Sequence, residues 1–297
     1  MTAPPEDLAD RPAMPNDLLS ELLRSVRLSG ERIVAYAPPR TFAVSLADLG
    51  TLHIIEAGEL LLRLDGSPHR ERVRSGDVIL LPRGDPHLIS DAPAAEPARW
   101  LCGTFTIGDP QASHLLASLP AVIILRGARG PALEGLEVAR RMILFEMQSP
   151  TQGSAVMVAR ILDLLFIQIL RAWAAGPDAE PNWLAGALDP QIGPALSAIH
   201  RDPGHDWTVE HLARACSLSR SAFAARFVAR VGKPPASYLA HVRLDAATGL
   251  LRDTSLPVTL VAEKVGYTSE AAFSRAFKNR YGTPPARWRR DARAKRS

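Results

Sequence analysis

The sequence predicts an α+β protein of two domains. These are an N-terminal antiparallel β jelly-roll followed by a helical linker, and a C-terminal all-α domain with a double helix-turn-helix. Residues 33–107 contain short strand-like runs separated by turn residues, whereas residues 133–175 show apolar residues at helical spacing. Residues 206–285 carry one helical pattern twice. With 297 residues, 46% of them hydrophobic, the chain is long enough for two cores.

The two copies of the C-terminal pattern align at an offset of 50 residues. Ser219 aligns with Ser269, and both stand where a hydroxyl would cap the next helix. The following phenylalanines lie at i,i+4 spacing and predict one buried face per helix. They are Phe223 and Phe227 in the first copy, and Phe273 and Phe277 in the second. Both copies end in Gly-x-Pro-Pro, at residues 232–235 and 282–285.

The opposite face of each second helix is left for solvent or DNA. In the first copy it carries Arg220, Ser221, Ala224 and Ala225, with Arg226 beside them. In the second copy it carries Glu270, Ala271, Ser274, Arg275 and Lys278. An ordinary helical repeat with a solvated polar face is the alternative, and the duplication in register disfavours it.

The charge distribution also divides the chain in two. The whole chain carries a net charge of +4, but residues 187–297 hold 18 Lys and Arg against 9 Asp and Glu. Residues 1–186 hold 17 against 22. A basic domain of this kind can neutralise phosphates and bind DNA with a strong salt dependence.

With these motifs, residues 265–289 resemble the AraC/XylS family of bacterial transcription regulators. The resemblance implies two recognition helices in successive major grooves, about 34 Å apart, held by a helix over residues 236–253. Ala224 and Ala225 depart from the family, whose members often carry long polar residues there, so we expect the first copy to read bases through Arg220, Ser221 and Arg226. The implied partners are double-stranded promoter DNA, a second copy of the chain, RNA polymerase and an unidentified effector.

The N-terminal half contains a second resemblance. Residues 76–87 match G-x5-P-x-G-x2-H, the second cupin motif, and residues 53–58 resemble a degraded first motif. The domain is therefore similar to a cupin, the small barrel that many of these regulators place before their DNA-binding domain. Residues 18–27 and 100–105 resemble the branch that includes reactive-chlorine-responsive regulators.

The cupin resemblance implies candidate metal ligands. His53 and His87 match motif histidines, and Cys102 lies on a later strand. Two imidazoles and a thiolate suit Zn(II) or another divalent transition metal, with Asp85 or water as the fourth ligand. The alternative is a pair of hydrogen-bonded histidines beside a core cysteine, with an organic effector or nothing in the barrel. With Cys216 as the one other cysteine, a disulfide framework is excluded.

An apolar stripe marks the helical linker. It consists of Val158, Ile161, Leu162, Leu165, Ile169 and Trp173. Packing against the preceding helix would explain the stripe, whereas the resemblance implies a homodimer seam. Residues 176–181 read as a flexible connection.

The predicted organisation has four parts. They are a disordered leader (1–17), a cupin-like sensor domain (18–130), a helical dimerisation and linker segment (131–186) and the DNA-binding domain (187–297). No targeting or membrane-spanning pattern is present, so we expect a cytoplasmic, non-enzymatic transcription regulator. The alternatives are a metal-dependent cupin enzyme tethered to DNA and an architectural DNA-binding dimer.

Overall fold

A computed structural model describes residues 17–20, 23, 28–39, 41–93, 96–107, 119–127, 134–176 and 180–294. Apart from Asp17, the expected disordered leader lies outside these residues. The same holds for residues 177–179 of the expected flexible connection and for the last three residues.

The described N-terminal residues form nine strands in two antiparallel sheets. The strands are β1 (Leu28–Tyr36), β2 (Ala43–Leu46), β3 (Gly50–Ala57), β4 (Glu59–Leu64), β5 (Glu71–Arg74), β6 (Val78–Leu81), β7 (His87–Asp91), β8 (Arg99–Ile107) and β9 (Ile123–Leu125). One sheet has the order β1-β8-β3-β6-β9 and the other β2-β7-β4-β5. The two sheets confirm the predicted antiparallel β domain.

The five-stranded sheet is covered on both faces, which explains why β3 is buried from Gly50 to Ile55 and β6 along its whole length. One face, including Ile55 and Trp100, packs toward the second sheet in the barrel interior. The other face, including Leu52 and Phe105, joins a cluster with the helices that follow the barrel. Residues two apart on one strand therefore share an environment, whereas direct neighbours do not.

Of the next two helices, α1 (Glu134–Gln148) packs against α2 (Ser154–Ala175), and α2 packs on the outer face of the barrel. The apolar stripe on α2 is used inside the chain, since Leu165 is 1% exposed and Ile169 is fully buried. The expectation that this stripe forms a homodimer seam is therefore wrong. Gly30 of β1 makes the close packing possible, because a Cβ there would lie 2.4 Å from the carbonyl oxygen of Ala159 on α2.

The C-terminal part is helical, as predicted. Its helices are α3 (Trp183–Ala187), α4 (Gly193–Arg201), α5 (Val209–Ala215), α6 (Arg220–Val231), α7 (Pro235–Asp253), α8 (Val258–Lys264), α9 (Glu270–Tyr281) and α10 (Pro285–Ala294). We call α5 and α6 the first head, and α8 and α9 the second head. The 19-residue α7 joins the heads and spans about 28 Å at 1.5 Å per residue.

The two heads belong to different cores. Phe223 and Phe227 of the first head are in the same buried cluster as α2 and the outer face of the barrel. Phe273 and Phe277 of the second head form a separate cluster with the C-terminal half of α7. None of the helices in the described ranges is long and apolar enough to cross a membrane.

Candidate nucleic-acid interface

The two heads are built alike, with one local difference in their turns. Helices α6 and α9 begin 50 residues apart, as predicted, but α5 and α8 begin 49 residues apart. The left-handed residue of the turn is Ser217 (φ 54°) in the first head and Gly266 (φ 80°) in the second. The second turn is therefore one residue longer, and a single offset of 50 does not hold across the whole repeat.

Each recognition helix, α6 or α9, starts with the same capping interaction. Ser219 Oγ accepts a hydrogen bond from the amide of Ala222 at 3.2 Å, and Ser269 Oγ accepts one from Ala272 at 3.2 Å. These bonds satisfy amides that would otherwise lack a partner at the helix start. The cap fixes where each helix begins and so which residues stand on its first turns.

Paired phenylalanines fix the rotation of each recognition helix. Phe223 and Phe227 are fully buried with ring centroids 5.5 Å apart, and Phe273 and Phe277 show the same distance and burial. With one face locked into the core, the opposite face points outward. The two heads therefore present equivalent surfaces at equivalent positions.

The predicted base-facing residues lie on these outer surfaces. Seven are exposed, namely Arg220, Ser221, Ala225, Glu270, Ala271, Arg275 and Lys278, while Ala224 and Ser274 are partly exposed. Two charged members have partners within their own head. Arg220 pairs with Glu210 at 2.9 Å, and the Glu270 carboxylate accepts a hydrogen bond from the Thr259 hydroxyl. Within the described part of the chain, Arg275 and Lys278 have no acidic partner.

Arg226, expected to read bases, has a structural role instead. Its guanidinium binds the Asp189 carboxylate through Nε at 3.0 Å and Nη2 at 2.8 Å. Arg230, one turn further along, binds the same carboxylate through Nε at 3.0 Å. Arg220 and Ser221 are then the exposed polar side chains at the start of this recognition helix.

Asp189 is the residue that the sequence reasoning missed. Its side chain is 1% exposed and also accepts hydrogen bonds from the amides of Gln191 and Ile192, just before α4. Burial works to raise the pKa of this carboxyl, but the bonds from Arg226 and the two amides outweigh burial and lower it. The Asp-Pro pair ahead of a helical pattern is the sequence signal that could have revealed it.

The barrel brings two of the four candidate metal ligands together. His53 Nε2 and His87 Nε2 lie 3.0 Å apart, and the Asp85 carbonyl accepts a hydrogen bond from His87 Nδ1 at 3.0 Å. In neutral rings His53 must then donate through Nε2, which leaves its Nδ1 as an acceptor. That Nδ1 is buried and has no hydrogen-bond partner among the described residues. Burial and the neighbouring His87 lower the pKa of His53 well below its usual value.

The other two candidates are not assembled around this pair. The described residues contain no group of three or more His, Cys, Asp and Glu side chains arranged to hold one metal ion. Asp85 directs its carboxylate to Arg83, at 2.9 Å. Cys102 stands opposite His53 across the β3–β8 ladder, but burial raises the pKa of its thiol to about 12. Of the four expected ligands, the structure therefore brings the two imidazole rings into direct contact with each other.

The fold and the paired heads define a two-domain DNA-binding regulator with a β-barrel ahead of its helix-turn-helix units. Comparison with known proteins agrees. A family model described as a cupin matches residues 17–175, and one described as a helix-turn-helix domain matches residues 212–291.

Three relatives resemble the chain over most of their length. A putative AraC-like transcription regulator of Streptomyces antibioticus is 33% identical over 80% of this chain and 85% of its own. The HTH-type transcriptional regulator AlkR of Acinetobacter baylyi is 30% identical over 93% of this chain and 100% of its own. The RCS-specific activator RclR of Escherichia coli is 33% identical over 74% and 78% respectively. The chain belongs to the AraC family of transcription regulators, with a cupin-type domain at its N-terminus.

Proposed function

We propose that this regulator reads a two-part operator with its two heads, and that an effector in the barrel controls this reading. The observation that carries the proposal is the repeated geometry of α6 and α9. Both helices are capped by a serine and locked by two buried phenylalanines, and both present their opposite face outward. The relatives named above are all transcription regulators. This supports a role in regulating transcription rather than a catalytic role, and a location in the cytoplasm, where the DNA is.

The two heads are expected to contribute unequally to sequence recognition. Arg275 and Lys278 are exposed and have no acidic partner in the described ranges, so they are available for base edges or phosphates. In the first head, Arg220 must exchange its bond with Glu210 for one with DNA. We therefore expect the half-site of the second head to be the more strictly defined of the two.

DNA selection from a random pool with the full-length protein tests this reading. We expect two half-sites about one helical turn apart, one strict and one permissive. Inserting five base pairs between them turns one half-site to the opposite side of the duplex and should lower affinity strongly. Uniform recovery of unrelated sequences would instead favour an architectural DNA-binding protein.

We propose that an effector signal travels through packed side chains. The buried cluster on the outer face of the barrel continues through α2 and Trp183 to the first head. Any change in the barrel that moves β3 or β8 can therefore reach α2 through direct side-chain packing. The second head, with its own core, would be affected only through α7.

The histidine pair is the proposed point of effector recognition in the barrel. His53 Nδ1, Trp100 Nε1 and Thr104 Oγ1 are buried without hydrogen-bond partners in the described part of the chain, and the strand register places all three side chains on the inner face of the sheet. Such orphaned groups suit a polar ligand. A divalent metal such as zinc is the second candidate, because two imidazole nitrogens supply half of a tetrahedral site. Metal analysis of chelator-free protein and of His53→Ala distinguishes the two, and a turnover screen tests the alternative of a cupin enzyme.

A homodimer would need a different surface from the one predicted. Val138, Met142 and Phe145 follow one another at i,i+4,i+7 on α1 and are 58%, 42% and 68% exposed. On α2, Leu164 is 52% exposed on the side away from the barrel. We propose that a second copy of the chain covers this face of α1 and α2, because exposed apolar groups of this kind mark association surfaces. RNA polymerase remains an expected partner at the promoter.

A further inference from the structure

A cleft of about 390 Å³ lies on the side of the DNA-binding domain where both recognition helices end. Its floor is α7. Its walls come from Pro181 and Trp183 before the first head, from Val231 and Lys233 at the end of α6, and from Arg280 at the end of α9. The cleft is thus remote from the capped helix starts and is bordered by parts of both heads. Its volume falls in the range of small-molecule sites.

The lining of the cleft combines apolar surface with positive charge. Trp183, Val242 and Ala246 supply apolar walls, whereas Lys233 and Arg252 bring cationic side chains. A third cation, Arg280, is neutralised within the wall, since it binds Asp245 at 2.8 Å. Of the two remaining cations, Arg252 has a long ion pair with Asp253, and Lys233 has no acidic partner among the described residues.

Two buried nitrogen atoms in this lining have no hydrogen-bond partner among the described residues. They are Arg252 Nη2 and His241 Nδ1. The Arg252 side chain is only 16% exposed, and its Nε forms an ion pair with Asp253 that is 3.4 Å long. Burial, followed by the positive charges of Arg280 and Lys233, lowers the pKa of His241. Because both nitrogens are closed to solvent, a ligand would meet the exposed part of the Arg252 side chain, and a guanidinium can only donate, so it calls for an acceptor.

From this lining we infer that the cleft binds a small organic carboxylate with an apolar body. The carboxylate would pair with Arg252, while the apolar body would lie along Val242 and Ala246 on α7. His241 and Arg252 are eleven residues apart on α7, which is about 16 Å at 1.5 Å per residue, so the site suits an elongated molecule. This inference goes beyond the proposed function, which places effector recognition in the barrel.

A ligand in this cleft would act on both heads at once. It would contact the C-terminal end of α6, the C-terminal end of α9 and α7, the helix that sets the distance between the two heads. A two-part operator requires a fixed relation between the heads. Occupancy should therefore change affinity for DNA that engages both heads, and should leave affinity for a single half-site unchanged.

Calorimetric titration of the full-length protein without DNA tests the site. The probes are octanoate, 4-phenylbutanoate and heptanedioate, with octanol as the uncharged control. We expect at least one carboxylate to bind with a Kd below about 1 mM and octanol to bind at least tenfold more weakly. Arg252→Gln should weaken binding at least tenfold and Arg252→Lys less, whereas Arg287→Gln on the exposed face of α10 should have no effect.

Ala246→Phe provides a second variant that blocks the cleft without removing charge, in case Arg252→Gln does not fold. Failure of all three carboxylates to bind, or binding that survives both Arg252→Gln and Ala246→Phe, would overturn the inference. Bound carboxylate should also change affinity for a two-part operator at least threefold. An equal change on a single half-site would overturn the bridging role. Because ligand binding is measured without DNA, its failure would leave the proposed operator reading intact.

Discussion

Removal of the Asp189 carboxylate should destabilise the DNA-binding domain more than removal of any exposed carboxylate. The carboxylate is nearly inaccessible and joins two helices of the DNA-binding domain: the start of α4 through two amides, and α6 through Arg226 and Arg230. Asp189→Ala removes all of these bonds at once. The loss should therefore appear in folding stability as well as in DNA binding.

The size of the loss in stability depends on what happens to each hydrogen-bond partner once the Asp189 carboxylate is gone. The amide of Ile192 is buried and would stay unpaired, at a cost of about 1–3 kcal/mol. The two arginines are 36% and 53% exposed and regain water, so their ion pairs contribute no more than about 1 kcal/mol. The total is about 1–4 kcal/mol. At roughly 4 °C per kcal/mol for a domain of this size, Tm should fall by about 4–16 °C.

Thermal and urea unfolding of three variants provides the test. Asp189→Asn keeps an oxygen that can accept both amide bonds and should cost only about 1 kcal/mol. Glu263→Ala, on the exposed side of α8, is the control and should stay within about 0.5 kcal/mol of wild type. Two results would refute this role of Asp189. One is a free energy of unfolding for Asp189→Ala as close to wild type as that of the control, and the other is a loss of stability in Asp189→Asn as large as that in Asp189→Ala.

Four further outcomes are expected. The lowered pKa of Asp189 gives stability that is present above pH about 4 and lost as pH falls through its folded pKa, so Asp189→Asn should flatten the acid limb of a Tm–pH curve. Phe145→Asp should convert a dimer into a folded monomer in sedimentation, whereas Leu165→Asp should unfold the protein; a monomeric wild type would contradict the dimer proposal. Gly30→Ala should cost about 1–3 kcal/mol in urea unfolding, because its Cβ would meet backbone. Cys102 should resist alkylation at pH 8 in native Cys216→Ser protein, since burial holds its pKa near 12; rapid labelling would place it outside the barrel core.

Much of the DNA-binding domain could be predicted because its signals are local. A serine cap followed by two phenylalanines at i,i+4 defines the start and the buried face of a helix within eight residues. The same signals placed Ser219 and Ser269 correctly. The one-residue difference between the turns could not be predicted, because Ser217 takes the left-handed conformation that the second head gives to Gly266. A glycine in the sequence indicates that this conformation is available, whereas a serine does not.

The errors concern contacts between residues far apart in the chain. Arg226 looked available for DNA because its partner, Asp189, stands 37 residues earlier. The apolar stripe on α2 was interpreted as a dimer interface because no local sequence signal shows that α2 packs against Gly30 of β1. The pairing of His53 with His87 was predicted from cupin motifs, but no local pattern shows that Asp85 would turn its carboxylate to Arg83.

The most direct test of the two-headed reading compares Arg275→Ala with Arg226→Ala on operator variants. Each base pair of the selected operator is replaced in turn, and affinity is measured at fixed salt by fluorescence anisotropy. We expect Arg275→Ala to remove base discrimination at one position of the second half-site, by about 1–3 kcal/mol, and to leave the other positions intact. Arg226→Ala should keep the wild-type preference at every position. Loss of a base preference in Arg226→Ala, together with equal weakening of all sequences in Arg275→Ala, would contradict reading by two heads.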